Sequence, residues 1–138
     1  MLDVQFFWGI VIFSWITGNS DMHCKNFSLL EKDDIGYLLS PAYDLLAVLL
    51  TGIKDNDELA MPLTGTGISN NEAINGFKRT DFIEAIISSG VEYKTANRIV
   101  DKFINCKAKW FDIINMSFLS EYLKSKYKAL IDERISRL

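Results

Sequence analysis

The chain is short of the residues that commonly staple or metallate a small domain. Its 138 residues include two cysteines, two prolines and a single histidine. Cys24 and Cys106 lie far apart and form neither a CxxC pair nor a disulfide framework. Two free thiols in a reducing cytoplasm are therefore the expected setting. A surplus of positive charge is also missing. The net charge of -3 gives no support to direct nucleic-acid binding or to attachment at an anionic membrane surface. Export and membrane-spanning signals are incomplete as well. Val4 to Ser20 carries no charge, but the only charge before it is Asp3, where a signal peptide would have a basic region. The run falls short of the about 20 apolar residues that cross a bilayer, and Gln5, Gly9, Ser14, Thr17 and Gly18 interrupt it. A helix apolar on nearly every side then belongs at the centre of a protein core.

What is present is the balance of a globular protein, with 49% hydrophobic and 24% charged residues and no repeat or low-complexity tract. The length suits one domain, residues 1–138, or one lobe of a larger domain. The expected fold is mainly α with one small β-hairpin. The first helix runs from about Leu2 to Thr17 and ends at Gly18 and Asn19, two residue types that tolerate left-handed backbone. "NFSLL" and "IGYLLS", separated by "EKDD", read as a hairpin turning near Asp33 and Asp34. Residues 51–72 read as a loop with one short strand in "ELAMPL". The "TGTGIS" glycines there lack the strand-to-helix context of a phosphate cradle and read as turn residues. Helical spacing then continues to the end. One helix opens at Thr80 and Asp81 and closes at Gly90, a second runs from Thr95 to about Cys106, and a third contains Trp110 and Phe111. The last is capped by Ser117 or Ser120 and carries Leu119, Tyr122, Leu123, Tyr127, Leu130 and Ile131 as an apolar stripe. The aromatic residues of these helices are expected in the core.

The chemistry is concentrated in "TGNSDMHCKNFSLL", directly after the apolar helix. Asp21 and Asn26 stand five positions apart on this loop, and Asp44 follows eighteen positions later, beyond the hairpin. Phosphoryl transfer needs a carboxylate to orient the attacking hydroxyl and accept its proton, and hard oxygen ligands for magnesium on the nucleotide phosphates. An Asp and an Asn on a rigidly supported loop, with a second Asp returned by a hairpin, meet both needs. The alternative for all three is turn and cap chemistry, which Asp and Asn also favour.

"GNSDMHCKNFSLL" followed by "LSPAYDLL" resembles HipA-type serine/threonine kinases, which carry a Gly-Asn-x-Asp-x-His-x-Lys-Asn loop and a Pro-x-Tyr-Asp motif. The joint occurrence of the two motifs at this interval is specific, and the resemblance extends over most of the chain. It implies the helical C-terminal lobe of a protein-kinase-like fold, using ATP and Mg2+. It makes Asp21 the catalytic base and Asn26 and Asp44 the magnesium ligands. His23 and Lys25 match the motif as candidate cofactor-binding residues. His23 is a candidate for bonding the loop or the Asp44 segment, and Lys25 for approaching a phosphate; the plainer readings are a packed loop histidine and a solvated lysine. Cys24 falls at an ungoverned position, and Gly18 and Asn19 are expected to shape the loop. Kinases of this type are toxins of bacterial type II toxin–antitoxin modules, restrained by a helix-turn-helix antitoxin. Known members phosphorylate an aminoacyl-tRNA synthetase.

The same resemblance exposes a gap. No position here is assigned to the glycine-rich loop, the strand lysine and the helix glutamate that clamp the nucleotide in a kinase. The family's upstream regulatory serine is likewise without a counterpart. Three expectations follow. The chain is part of a kinase whose N-terminal lobe is supplied in trans, or a truncated and catalytically inactive fragment, or an interaction module that only binds an antitoxin-like or N-lobe partner.

Overall fold

A computed structural model describes residues 2–52, 58–63 and 76–138. The described elements are α1 (Leu2–Thr17), β1 (Leu29–Lys32), β2 (Gly36–Leu39), α2 (Arg79–Ser88), α3 (Tyr93–Ile104), α4 (Lys107–Met116) and α5 (Glu121–Ser136), with short 3-10 turns at Cys24–Asn26 and Val48–Thr51. The fold is mainly helical with a small antiparallel hairpin, as the sequence leads one to expect.

α1 has no polar face. Ile12, Trp15 and Ile16 are fully buried, and Ser14 is sealed off with them. The helix packs against α3 and α5, while α2 packs on α3 and α4 on α5. Phe77 and Phe82 reach in beside Trp15, with ring centroids of Trp15 and Phe82 4.9 Å apart. Each such side chain contributes on the order of 1.5–3 kcal/mol by leaving water. α1 is therefore the axis of the core. Among the described residues, no helix is long and apolar enough to cross a membrane.

The chain leaves α1 through Gly18, whose φ of 76° lies in the left-handed region. A Cβ at this position would come 2.6 Å from Leu130 Cδ2 and 3.3 Å from Leu49 Cβ. Only glycine combines that backbone with that proximity. The hairpin pairs Leu29 with Leu39 and Lys32 with Gly36. Its reversal uses left-handed backbone at Asp34, φ 66°, where the sequence places the turn.

The C-terminal helices depart from expectation only at their ends. α3 begins two positions early, at Tyr93, after extended Glu92. Asp81 accepts from the Lys78 amide at 2.7 Å and so caps the start of α2. Ser120, not Ser117, caps α5, its Oγ accepting from the Leu123 amide at 3.3 Å. Trp110, Phe111 and Tyr127 pack against the core as expected, but Tyr122 faces solvent with 73% exposure.

One expected element is absent. Residues 58–63 run as bends and do not form a strand. Leu59 and Leu63 are buried in the core, and Glu58 is drawn into a charged cluster. Its carboxylate accepts from Trp15 Nε1 at 3.0 Å, from the Phe77 amide at 3.1 Å and from Arg137 Nη2 at 2.7 Å, and it pairs with Arg134 Nη1 at 2.9 Å. Both guanidinium groups lie over the Trp15 ring, 5.0 and 4.9 Å from its centroid. Apolar alternation without a neighbouring strand packs here as a strap, anchored by charge and not by a β-ladder. The "TGTGIS" glycines lie outside the described residues.

Candidate functional site

The loop after α1 is held by the end of the helix that precedes it. The Asn19 amide N–H donates to the Ser14 carbonyl at 2.8 Å, and the Asn19 side chain is 2% exposed. The chain then turns outward through Asp21, whose side chain is 67% exposed. Met22 returns to the core. The 3-10 turn at Cys24–Asn26 closes with the Asn26 amide donating to His23 O at 2.9 Å.

Asp44 approaches this loop from the far side of the hairpin. Its φ of 56° is left-handed, a region that side-chain-bearing residues enter at a cost of roughly 1–2 kcal/mol. Two bonds to Asp44 itself and two made by its neighbour Tyr43 hold it there. Asn26 Nδ2 donates to Asp44 Oδ2 at 3.1 Å, and Asn19 Nδ2 donates to the Asp44 carbonyl at 3.0 Å. Tyr43, next in the chain, donates its hydroxyl to Lys25 O at 3.1 Å and lies 2.7 Å from Ser28 Oγ. Beyond Asp44, the Leu49 amide donates to Gly18 O at 3.1 Å. Residues 44–49 thus form a short arch seated on the C-terminal end of α1.

Asp21, Asn26 and Asp44 therefore come together on one exposed ledge. Asn26 Nδ2 also donates to the Asp21 carbonyl at 3.3 Å, so Asn26 touches both acidic residues. Asn26 Oδ1 and Asp44 Oδ1 accept no hydrogen bond among the described residues. The two oxygens are hard donors of the kind magnesium takes when phosphates and water complete its octahedron. A closed protein cage is a different matter: among the described residues no group of three or more His, Cys, Asp and Glu could hold a metal.

His23 and Lys25 occupy the periphery. His23 Nε2 is 3.9 Å from Asp21 Oδ1, and its Nδ1 is buried with no hydrogen-bond partner. It makes no bond to the Asp44 segment; Asn19 makes that bond. Lys25 is exposed, and its ammonium is in no ion pair among the described residues. Cys24 is a free, exposed thiol with its Sγ 3.2 Å from Met61 Sδ. A partly open apolar pocket of about 170 Å³ lies between α1 and the strap, lined in part by Trp8, Val11, Met22, Leu59 and Leu63. None of the three clustered polar residues reaches it.

Asn19 and Tyr43 are the two site residues whose bonds the sequence did not specify. Both sit inside the quoted motifs, and an amide two positions before an Asp is a recognisable way to hold a loop. Their partners lie across the hairpin, which hides the pairing from any local reading.

Comparisons with known proteins bear on the family and the fold. The family model for the HipA-like C-terminal domain matches residues 1–110. A Sinorhizobium fredii protein named "Putative kinase Y4dM" is 32% identical over 112 residues, covering 78% of this chain and 25% of that protein. A Haemophilus influenzae protein named "Putative kinase" is 26% identical over 120 residues, covering 80% of this chain and 35% of the relative. The chain therefore spans about a quarter to a third of the curated relatives it matches. Among solved structures, HipA of Shewanella oneidensis MR-1, from a toxin–antitoxin complex with HipB and operator DNA, superposes with a TM-score of 0.68. That match has 22% identity and covers 96% of this chain and 31% of the other. It establishes a shared fold.

Proposed function

The chain belongs to the HipA-like C-terminal domain family, and from that premise we propose that it is the C-terminal catalytic lobe of a protein serine/threonine kinase. The observation that carries this reading is the assembly of Asp21, Asn26 and Asp44 on one ledge, with Asn26 in contact with both acids. Asp21 is the base. Its exposed carboxylate takes the proton of a protein hydroxyl as that oxygen attacks the γ-phosphorus and the bond to the β-phosphate breaks. Asn26 Oδ1 and Asp44 Oδ1 would hold Mg2+. When bound, the ion neutralises phosphate charge and orients the γ-phosphate for in-line attack. Lys25 reaches into solvent from the same loop and is placed to approach a phosphate. His23 flanks Asp21, its Nε2 3.9 Å from Asp21 Oδ1.

The openness of the ledge supports a division of labour. Among the described residues nothing covers Asp21 or Asp44 from the solvent side, which leaves room for an N-terminal lobe, in cis or in trans, to hold the nucleotide over them. By the resemblance, the parent activity is that of a toxin in a type II toxin–antitoxin module. The HipA neighbour was solved in a toxin–antitoxin complex with HipB and operator DNA, which supports an antitoxin as a partner; a helix-turn-helix protein is what the resemblance implies. An aminoacyl-tRNA synthetase is the substrate the resemblance suggests. The deciding experiment supplies a purified nucleotide-clamping lobe and measures transfer of γ-phosphate to a protein acceptor. Transfer that disappears with Asp21→Asn supports the reading, whereas a folded complex without transfer leaves the chain as an inactive fragment or an interaction module.

A further inference from the structure

Asn19 uses both ends of its buried amide. Nδ2 donates to the Asp44 carbonyl at 3.0 Å, and Oδ1 accepts from the Asp21 amide at 3.3 Å. One side chain thus holds the backbones of the two acids that the kinase reading makes base and metal ligand. Its bond to Asp44 spans a sequence separation of 25. Asp44 sits at φ 56°, a left-handed conformation that aspartate tolerates better than most residues but still enters at a cost. The Asn26–Asp44 contact fixes the carboxylate and the Leu49–Gly18 bond fixes the far end of the arch. The Asn19 amide fixes the Asp44 backbone itself.

We infer, resting on the kinase reading above, that Asn19 is the positioning residue that sets the metal-binding Asp44 in register with the base Asp21. It touches neither nucleotide nor hydroxyl. Its effect passes through the Asp44 carbonyl. Losing the donor frees Asp44 to leave left-handed backbone, and its carboxylate then turns away from Asn26. Losing the acceptor frees the Asp21 amide. A buried asparagine that merely satisfies local polar groups would shape residues 18–22 and leave the arch alone.

The test uses this chain, two variants and two readouts. Asn19→Asp keeps the acceptor for the Asp21 amide and removes the donor to Asp44. Asn19→Ala removes both and carries the test if a buried carboxylate prevents folding. Backbone amide NMR without ligand should show Asp44 and its neighbours shifting together with Asp21, under an unchanged helical circular dichroism spectrum. Mn2+ alone, titrated as a paramagnetic probe, should broaden the Asn26 and Asp44 signals in the wild type. That broadening should need roughly 10- to 100-fold more Mn2+ in the variants, the loss typical of outer-sphere partners of metal ligands. Shifts confined to residues 18–22 with Mn2+ broadening intact would overturn the role given to Asn19. If Asp44→Asn leaves Mn2+ broadening at Asn26 unchanged, the metal site of the kinase reading is what fails, and the ligand-free shifts still decide whether Asn19 couples the two loops.

Discussion

Asn26 Nδ2 lies 3.1 Å from Asp44 Oδ2, a contact across eighteen residues of sequence and a complete β-hairpin. It places the end of a short loop against a residue that the hairpin carries back to it. The contact is the geometric centre of the proposed site, and each functional prediction depends on it.

Replacing Asp21 or Asp44 with Asn should abolish phosphate transfer by the completed enzyme while leaving the fold intact. Both side chains are exposed, so neither supports the core. Radiolabelled ATP with a protein acceptor, alongside thermal unfolding, separates the two effects. Transfer retained in both variants would refute the assignment. The lobe alone should bind ATP weakly, because the ledge contacts a nucleotide from one side only. Tight, magnesium-dependent binding in calorimetry would contradict this.

Gly18→Ala should destabilise the lobe by roughly 1–3 kcal/mol, the usual range for forced overpacking. Two causes add: left-handed backbone at φ 76° and a Cβ 2.6 Å from Leu130 Cδ2. Urea unfolding would measure it. A midpoint equal to that of the wild type would show that Leu130 and the loop yield freely.

Acid should unfold the lobe partly through Glu58. Burial pushes its carboxyl up, but hydrogen bonds from Arg137 and Trp15 and the charge of Arg134 outweigh that and bring it below its ordinary value of 4.5. A carboxylate lowered by folding adds stability that is complete above its unfolded value. That stability disappears as pH falls from about 4.5 through the folded value. Unfolding midpoints measured from pH 7 downward should therefore drop below pH 4.5 in the wild type. Glu58→Gln should be less stable at pH 7, and the gap should narrow in acid. A constant gap across that range would argue that the cluster contributes nothing through its charge.

The lobe by itself should self-associate at high concentration. Leu29, Ile35 and Tyr37 of the hairpin are 64–66% exposed, and Leu46 on the arch is 60% exposed. Exposed apolar side chains of this kind invite contact. Light scattering should show association that Leu29→Glu reduces. A clean monomer at high concentration would count against it.

Much of this architecture was legible because it is local. An apolar helix without a polar face could only be central, and Asp33 and Asp34 marked the hairpin turn. Helical spacing found every C-terminal helix, with shifts of a few residues at the ends. Asp21, Asn26 and Asp44 were picked out by type and interval, and the fold brings them together. The misreading has a plain origin. Leu59, Met61 and Leu63 alternate like a strand, but Glu58 finds Arg134 and Arg137 from the far end of the chain, and the segment becomes a strap. The bond from the buried Asn19 side chain to the Asp44 carbonyl has no local signal either. Partners distant in sequence decide both cases, and no local pattern records them.

The backbone at Asp44 also limits how such a protein can fall silent. A left-handed φ of 56° admits asparagine and glycine readily but resists valine, isoleucine and threonine. If Asp44 holds the metal as proposed, a lineage that abandons phosphorylation while keeping the lobe for another purpose has few low-cost replacements at this position. Descendants carrying Asn or Gly at position 44 beside an untouched Gly18 would mark retirement of the chemistry with the scaffold preserved, whereas a β-branched residue there would signal decay of the arch itself.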